Sequence, residues 1–159
     1  MNMPSPKIDA VDRAIISELQ KDARLSSADL AERVSLSTSP CWRRVKRLEE
    51  HQIIQGYHAR VDYGKLGYAI SAAVQISLSQ KDFAHMDAFE KAVLGFEEVV
   101  SCQCVSGIFD YNLTIVAHDL NSFAEFMRRN INAFQGVKEV CTSFVMRDVK
   151  ASQMHKLFT

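Results

Sequence analysis

The chain has 159 residues, 47% apolar and 24% charged, and its 19 basic and 19 acidic residues cancel to a formal net charge of zero. At roughly 150 residues per domain this is one domain or two small ones, with enough apolar side chain for a packed core, which excludes a disordered chain. The balance also excludes a uniformly basic coat protein and an acidic solubilising chain, but not a local basic patch offset elsewhere.

The opening Met1-Asn2-Met3-Pro4-Ser5-Pro6 lacks the apolar core of a signal peptide. No run approaches the ~20 apolar residues needed to span a bilayer. A cytoplasmic location and no membrane partner are therefore expected. The cysteines at 41, 102, 104 and 141 form no Cys-x-x-Cys pair and read as small apolar core residues. Histidines at 51, 58, 85, 118 and 155 are scattered. No metal and no cofactor are expected.

A first helix is predicted from about Asp9 to Asp22. Ile8, Val11, Ile15 and Leu19 recur at three- and four-residue spacing, and Asp9 and Asp12 sit where acidic groups favour the macrodipole. A second, short helix is predicted from about Ser27 to Val34, capped by Ser26 or Ser27, with Leu30, Ala31 and Val34 inward. After the turn Ser35-Leu36-Ser37, a third helix starts near Thr38 or Ser39 and runs to about His51. Ser37 is its expected cap, and Pro40 lies in the first turn.

At 100° per residue, Cys41, Val45 and Leu48 share one face of this third helix, and Ser39, Arg43, Lys46 and Arg47 the opposite one. Trp42 and Arg44 flank the boundary, where Trp42 is expected to pack at an edge rather than stack on bases. From Arg33 to Leu48 there are five basic residues and no acidic one. Two short helices joined by a tight turn, with a basic outer face on the second, form a helix-turn-helix. Its apolar face would dock on the first two helices. The opposite face would enter a major groove, with Thr38, Ser39 and Pro40 leading at base edges. Arg43 is placed to contact a guanine edge; Arg33, Lys46 and Arg47 are expected at phosphates. A plain solvated basic face is the bland alternative.

Ile53 to Asp62 looks extended, and Ile53, Tyr57, Ala59 and Val61 could lie on the helices as the strand of a winged domain. Arg60 reads as a surface residue. The glycine-bearing stretch that follows marks a linker. The expected organisation is a helix-turn-helix domain over 1–62, a linker over 63–68 and a second domain over 69–159.

In the second half, Ile70 to Leu78 alternates strictly, the pattern of a half-buried strand. Helical spacing follows in Phe83, Met86, Phe89, Ala92, Val93 and Phe96. A second strand is predicted over Val99 to Ser106 and a third over Tyr111 to Ala117. A helix marked by Phe123, Phe126, Met127, Ile131 and Phe134 comes next, capped near Asn121 or Ser122 and ended by Gln135-Gly136. Val137 to Val149 reads as a long last strand. The order is βαββαβ, a ferredoxin-like unit with both helices on one face. On the open face Cys141, Val145 and Val149, with Val99 and Val105, leave an apolar register that a second copy would cover.

The turn from Val105 to Tyr111 carries Asp110, the only acidic residue between Glu98 and Asp119. Glycine and Asp are ordinary turn residues. A free amino acid, however, needs an acceptor for its ammonium and donors for its carboxylate; Asp110 can supply the first, and Ser106 with the backbone at Gly107 the second, with Phe109 and Tyr111 alongside.

These residues carry a resemblance. Asp9-x-x-Asp12, Leu19-Gln20-Lys21-Asp22-Ala23-Arg24, Leu30-Ala31-Glu32-Arg33-Val34, Leu36-Ser37-x-Ser39-Pro40, Arg44-Val45-Lys46-Arg47-Leu48-Glu49 and Ile54-Gln55-Gly56-Tyr57 together resemble the DNA-binding half of the Lrp/AsnC, or feast/famine, bacterial transcription regulators. Leu66-Gly67-Tyr68, Val105-Ser106-Gly107-x-Phe109-Asp110-Tyr111, Gly136-Val137 and Val149-Lys150 match the second half. The resemblance runs from Ile8 to Lys150. It implies homodimers formed through the sheets, often four closing into an octamer around double-stranded DNA, with amino-acid effectors held where dimers meet. By the motif, Ser106, Gly107, Asp110 and Tyr111 inherit an effector role; Leu120, Thr142, Ser143 and Phe144 resemble effector-response positions. His51 stands where relatives commonly have Gly or a polar residue, which would place a left-handed backbone there.

The expected function is an amino-acid-responsive, sequence-specific transcription regulator acting at the nucleoid. Ile108, Phe109, Leu120, Phe144 and Val145 around one carboxylate favour an apolar effector, leucine or methionine. A DNA-compacting protein without an effector is the alternative. No nucleophile–base pair, phosphate loop or metal spacing suggests an enzyme.

Overall fold

The computed structural model describes residues 7–149, and the chain divides into two compact units between Arg60 and Val61. In the first unit α1 (Ala10–Lys21), α2 (Ser27–Arg33) and α3 (Thr38–Glu50) close on Ile15, Leu30, Ala31, Cys41 and Leu48. A capping box opens α1: the Asp12 N–H donates to Asp9 Oδ1 at 2.8 Å, and the Asp9 N–H to Asp12 Oδ2 at 3.2 Å. Ser26 caps α2 through the Asp29 N–H. Ser37 stands at the N-cap of α3 but makes no side-chain cap bond. The third helical residue is Pro40, which lacks the N–H such a bond uses.

Both helices of the helix-turn-helix end in the same way. The Leu36 N–H reaches the Ala31 carbonyl and the Ser35 N–H that of Glu32; the Ile53 N–H reaches Leu48 and the Gln52 N–H reaches Glu49. Each is a six-to-one and five-to-two pair, a Schellman ending, with Ser35 and Gln52 left-handed at φ 55°. His51, expected to carry that strain, has φ −88°; the pattern puts it one residue later. Gln52→Gly is expected to stabilise the first unit by about 0.5–1 kcal/mol, read as a rise of a few degrees in melting temperature.

Residues 55–62 form no strand, so among the described residues the expected wing is not built. Ile53 and Ile54 pack on the helical core, while Tyr57 and Val61 stay nearly half exposed. A strand requires a neighbour, and α1–α3 offer no open sheet edge. The expected linker is ordered on the second unit. Gly64–Leu66 make one 3₁₀ turn, Tyr63 and Tyr68 meet edge to face, and Tyr68 stacks on His118 at 4.3 Å.

The second unit contains β1 (Ile70–Leu78), α4 (Phe83–Val93), β2 (Val99–Cys104), β3 (Tyr111–Ala117), α5 (Leu120–Phe126) with a π-helical turn Met127–Ile131, and β4 (Val137–Phe144). The antiparallel order is β2-β3-β1-β4, the ferredoxin-like arrangement. Ala72, Val74 and Ile76 pair with Ile115, Leu113 and Tyr111, and these six bury one face against Phe89, Val93, Phe123, Phe126 and Ile131. Asp119, rather than Asn121 or Ser122, caps α5 by accepting the Ser122 N–H at 2.7 Å. β4 stops at Phe144, short of Val149, because its partner β1 begins at Ile70. The Val145 N–H makes a last bond to the Ser71 carbonyl, one residue from the start of β1.

The open face is more polar than expected. Ser71, Ala73, Gln75 and Ser77 face the same way as Glu139, Cys141 and Ser143. Val99 pairs with Ile115 and packs on the core, because a bulge after it shifts the register. Of the four cysteines only Cys41 is buried; the other three lie on edge strands and are exposed.

Candidate nucleic-acid interface and small-molecule site

Helix α3 turns Cys41 and Leu48 into the core and Arg43 outward. Among the described residues Arg43 is met by no hydrogen bond or ion pair and is free to engage a ligand. Lys46 lies beside it, its ammonium 5.2 Å from the Trp42 ring centroid and 3.8 Å from Glu50. Thr38, Ser39 and Pro40 form the first turn of α3, with Thr38 and Ser39 exposed and Pro40 half-buried. Trp42 flanks this face and lines a cleft of about 380 Å³ with Leu25 and Tyr57. The Tyr57 hydroxyl donates to Glu49 at 2.8 Å; burial, then that carboxylate, push its pKa up to about 12.

The other arginines are occupied. Arg33 reaches Glu18 at 3.2 Å, and Glu18 also holds Lys21 at 2.5 Å. Hydrogen bonds from Lys21 and then Arg33 hold the Glu18 carboxyl below its ordinary pKa. Arg44 donates to Asp9 at 2.7 Å and to Asp12 at 2.8 Å, and Arg47 to Asp12 at 2.5 Å. Arg33 and Arg47, read in the sequence as free for phosphates, are thus paired within the chain. The Asp9-x-x-Asp12 spacing was a usable signal for the capping box. Its second use, as an anchor for α3, was not legible, because Arg44 and Arg47 lie more than 30 residues along the chain.

In the second unit Asp110 is held from three sides. Its Oδ2 accepts the Leu78 N–H at 2.8 Å and lies 3.5 Å from the Ser77 hydroxyl, and Lys81 Nζ stands 2.8 Å from Oδ1. Burial works to raise its pKa, but the Lys81 ammonium and the Leu78 N–H outweigh it and hold the carboxyl below its ordinary value. Nothing in the sequence marked Lys81 as its partner. Ser106 and Gly107 are exposed in the turn, Gly107 at φ 139°. Phe109 is half-buried. Tyr111 is fully buried, donates its hydroxyl to Glu90 at 2.8 Å and packs its ring against Phe89 at a tilt of 45°. It is a core residue and offers no surface to a ligand.

The other expected effector residues lie elsewhere on the sheet. Thr142, Ser143 and Phe144 pair with Val74, Ala73 and Ala72. Phe144 meets Phe123 on α5, one turn from exposed Leu120. Between Leu78, beside Asp110, and Val74 or Ala72 run four to six strand residues, roughly 13–20 Å at ~3.3 Å each. One small amino acid cannot touch both groups in a single chain. Ser143 also faces the opposite side of the sheet from Thr142 and Phe144.

A helix-turn-helix with an unpaired arginine on its outer face, followed by a separate ferredoxin-like α+β unit, is the architecture of a two-domain DNA-binding regulator. An AsnC-type helix-turn-helix domain matches residues 8–49, and an Lrp/AsnC ligand-binding domain matches residues 71–154. The chain belongs to the Lrp/AsnC family. It is 37% identical over 149 residues to the leucine-responsive regulatory proteins of Klebsiella pneumoniae and Escherichia coli K12, covering 94% of this chain and 91% of theirs. Its fold is similar to that of a transcriptional regulator from Neisseria meningitidis in complex with L-methionine (TM-score 0.88, 31% identity, 94% of this chain and 97% of that one). It is also similar to a feast or famine regulatory protein of M. tuberculosis complexed with L-methionine (TM-score 0.84, 28% identity, 94% and 99%).

Proposed function

We propose that this protein is a sequence-specific DNA-binding regulator whose grip on DNA, or whose assembly, changes when it binds an apolar amino acid, methionine or leucine. The observation that carries the DNA reading is Arg43, outward on α3 and without a partner among the described residues. Thr38, Ser39 and Pro40 lead the helix into the groove, Arg43 reads a base edge, and Lys46 meets a phosphate. The ligand reading rests on Asp110, which already holds one ammonium, that of Lys81, at 2.8 Å. The Neisseria and M. tuberculosis relatives bind L-methionine, which supports the choice of effector.

The separation of Asp110, Ser106 and Gly107 from Leu120, Thr142 and Phe144 supports a site completed by a second copy of the chain. We propose homodimers assembled further, as a tetramer of dimers, on the nucleoid in the cytoplasm. Catalysis forms no part of this reading. A melting screen against the twenty amino acids tests it. A ligand at a hundredfold excess over its Kd stabilises the folded state by about 2.7 kcal/mol, several degrees in melting temperature. Methionine or leucine should give this shift and alter the DNase footprint. A footprint indifferent to all twenty would leave the DNA-compacting alternative instead.

A further inference from the structure

We infer that Asp12 sets the selectivity of DNA reading, by holding Arg44 and Arg47 in a neutral internal cluster so that the duplex meets only Arg43 and Lys46 of the charges on α3. This rests on the proposed DNA-binding role of that helix. Asp12 lies in the first turn of α1 and is 0% exposed, the one fully buried charged residue among those described. Its Oδ1 takes Arg44 at 2.8 Å and its Oδ2 takes Arg47 at 2.5 Å, while Asp9 takes Arg44 at 2.7 Å. Two carboxylates thus face two guanidiniums, and the four charges sum to zero.

Handing either arginine to a phosphate would weaken the compensation of a carboxylate shut away from water, which is strongly unfavourable. The geometry of Arg47 points the same way. Nη2 is bonded to Asp12, and Nε is buried with no partner among the described residues. Two of its three nitrogens are turned inward. Phosphate contacts release counterions and bind any sequence, whereas a base-edge contact discriminates. Neutralising two of the four basic residues of α3 therefore removes indiscriminate affinity and leaves the partner-free Arg43 a larger share of what remains. Asp12 acts through the arginines and is a positioning residue.

The test uses the full chain and two duplexes of equal length, one recovered by in vitro selection with the wild type and one of random sequence, titrated across a series of KCl concentrations. Asp12→Asn is expected to bind the random duplex more tightly and to lower the selected-to-random ratio. The slope of log K against log salt should steepen by about 1–2 per bound protomer, at ~0.9 per phosphate. Arg47→Gln should leave the slope unchanged. The inference is overturned if Asp12→Asn leaves slope and ratio as they were while merely melting earlier. It is overturned equally if Arg47→Gln flattens the slope by about 0.9, one phosphate contact; that arm decides the matter even if Asp12→Asn does not fold. Arg43→Ala is the control. If it too leaves selected-duplex binding intact, the failure lies in the DNA-binding reading of α3 and not in the role of Asp12 alone.

Discussion

Asp110→Asn is expected to cut the rise in melting temperature that methionine or leucine produces by about half or more, while leaving the protein folded. The amide oxygen can still accept the Leu78 N–H, now 2.8 Å away, so the end of β1 keeps its anchor. What is lost is the charge. A hydrogen bond to an ionised group contributes about 1.5–3 kcal/mol, so affinity should fall roughly 10- to 150-fold. Asp110→Ala would be a poorer experiment. It leaves the Leu78 N–H without its partner, at about 1–3 kcal/mol, and confuses lost binding with lost stability. Isothermal calorimetry with methionine on wild type and Asp110→Asn separates the two. Equal affinity for both would remove Asp110 from the ligand site and leave it as an anchor for the turn and for Lys81.

Arg43→Ala should weaken binding to a selected duplex by roughly 5- to 150-fold per half-site, the equivalent of ~1–3 kcal/mol for a paired contact to a guanine edge. Its effect on random DNA should be much smaller. Competition binding on both duplexes reads the difference directly. Equal losses on both would demote Arg43 to a phosphate contact. The neighbouring arginines sharpen the expectation. Arg44 and Arg47 are tied to Asp9 and Asp12, and Arg33 to Glu18, so none is poised to substitute for Arg43.

The elements were legible wherever a period was strong. Ile70–Leu78 emerged with the predicted bounds, and α1 to α3 within a residue or so, because alternation and three- to four-residue spacing record which side of an element is buried. Ends were harder. The Schellman pattern moved the left-handed residue from His51 to Gln52, and the start of β1 cut β4 short at Phe144. Both outcomes depend on where another segment lies in space. The missing wing has the same origin: an extended stretch becomes a strand only beside a free edge.

The site divides along the same line. Residue types and spacing alone determined the two-domain plan, the helix-turn-helix with a basic helix, the ferredoxin-like order and the turn bearing Asp110, since these follow from local periodicity and turn chemistry. Only the tertiary structure decided which charges are available. It placed Asp12 under Arg44 and Arg47, brought Lys81 to Asp110, sank Tyr111 into the core and set Phe144 far from the turn. Charge is written in the sequence residue by residue, but its partner is chosen across distances that only folding closes.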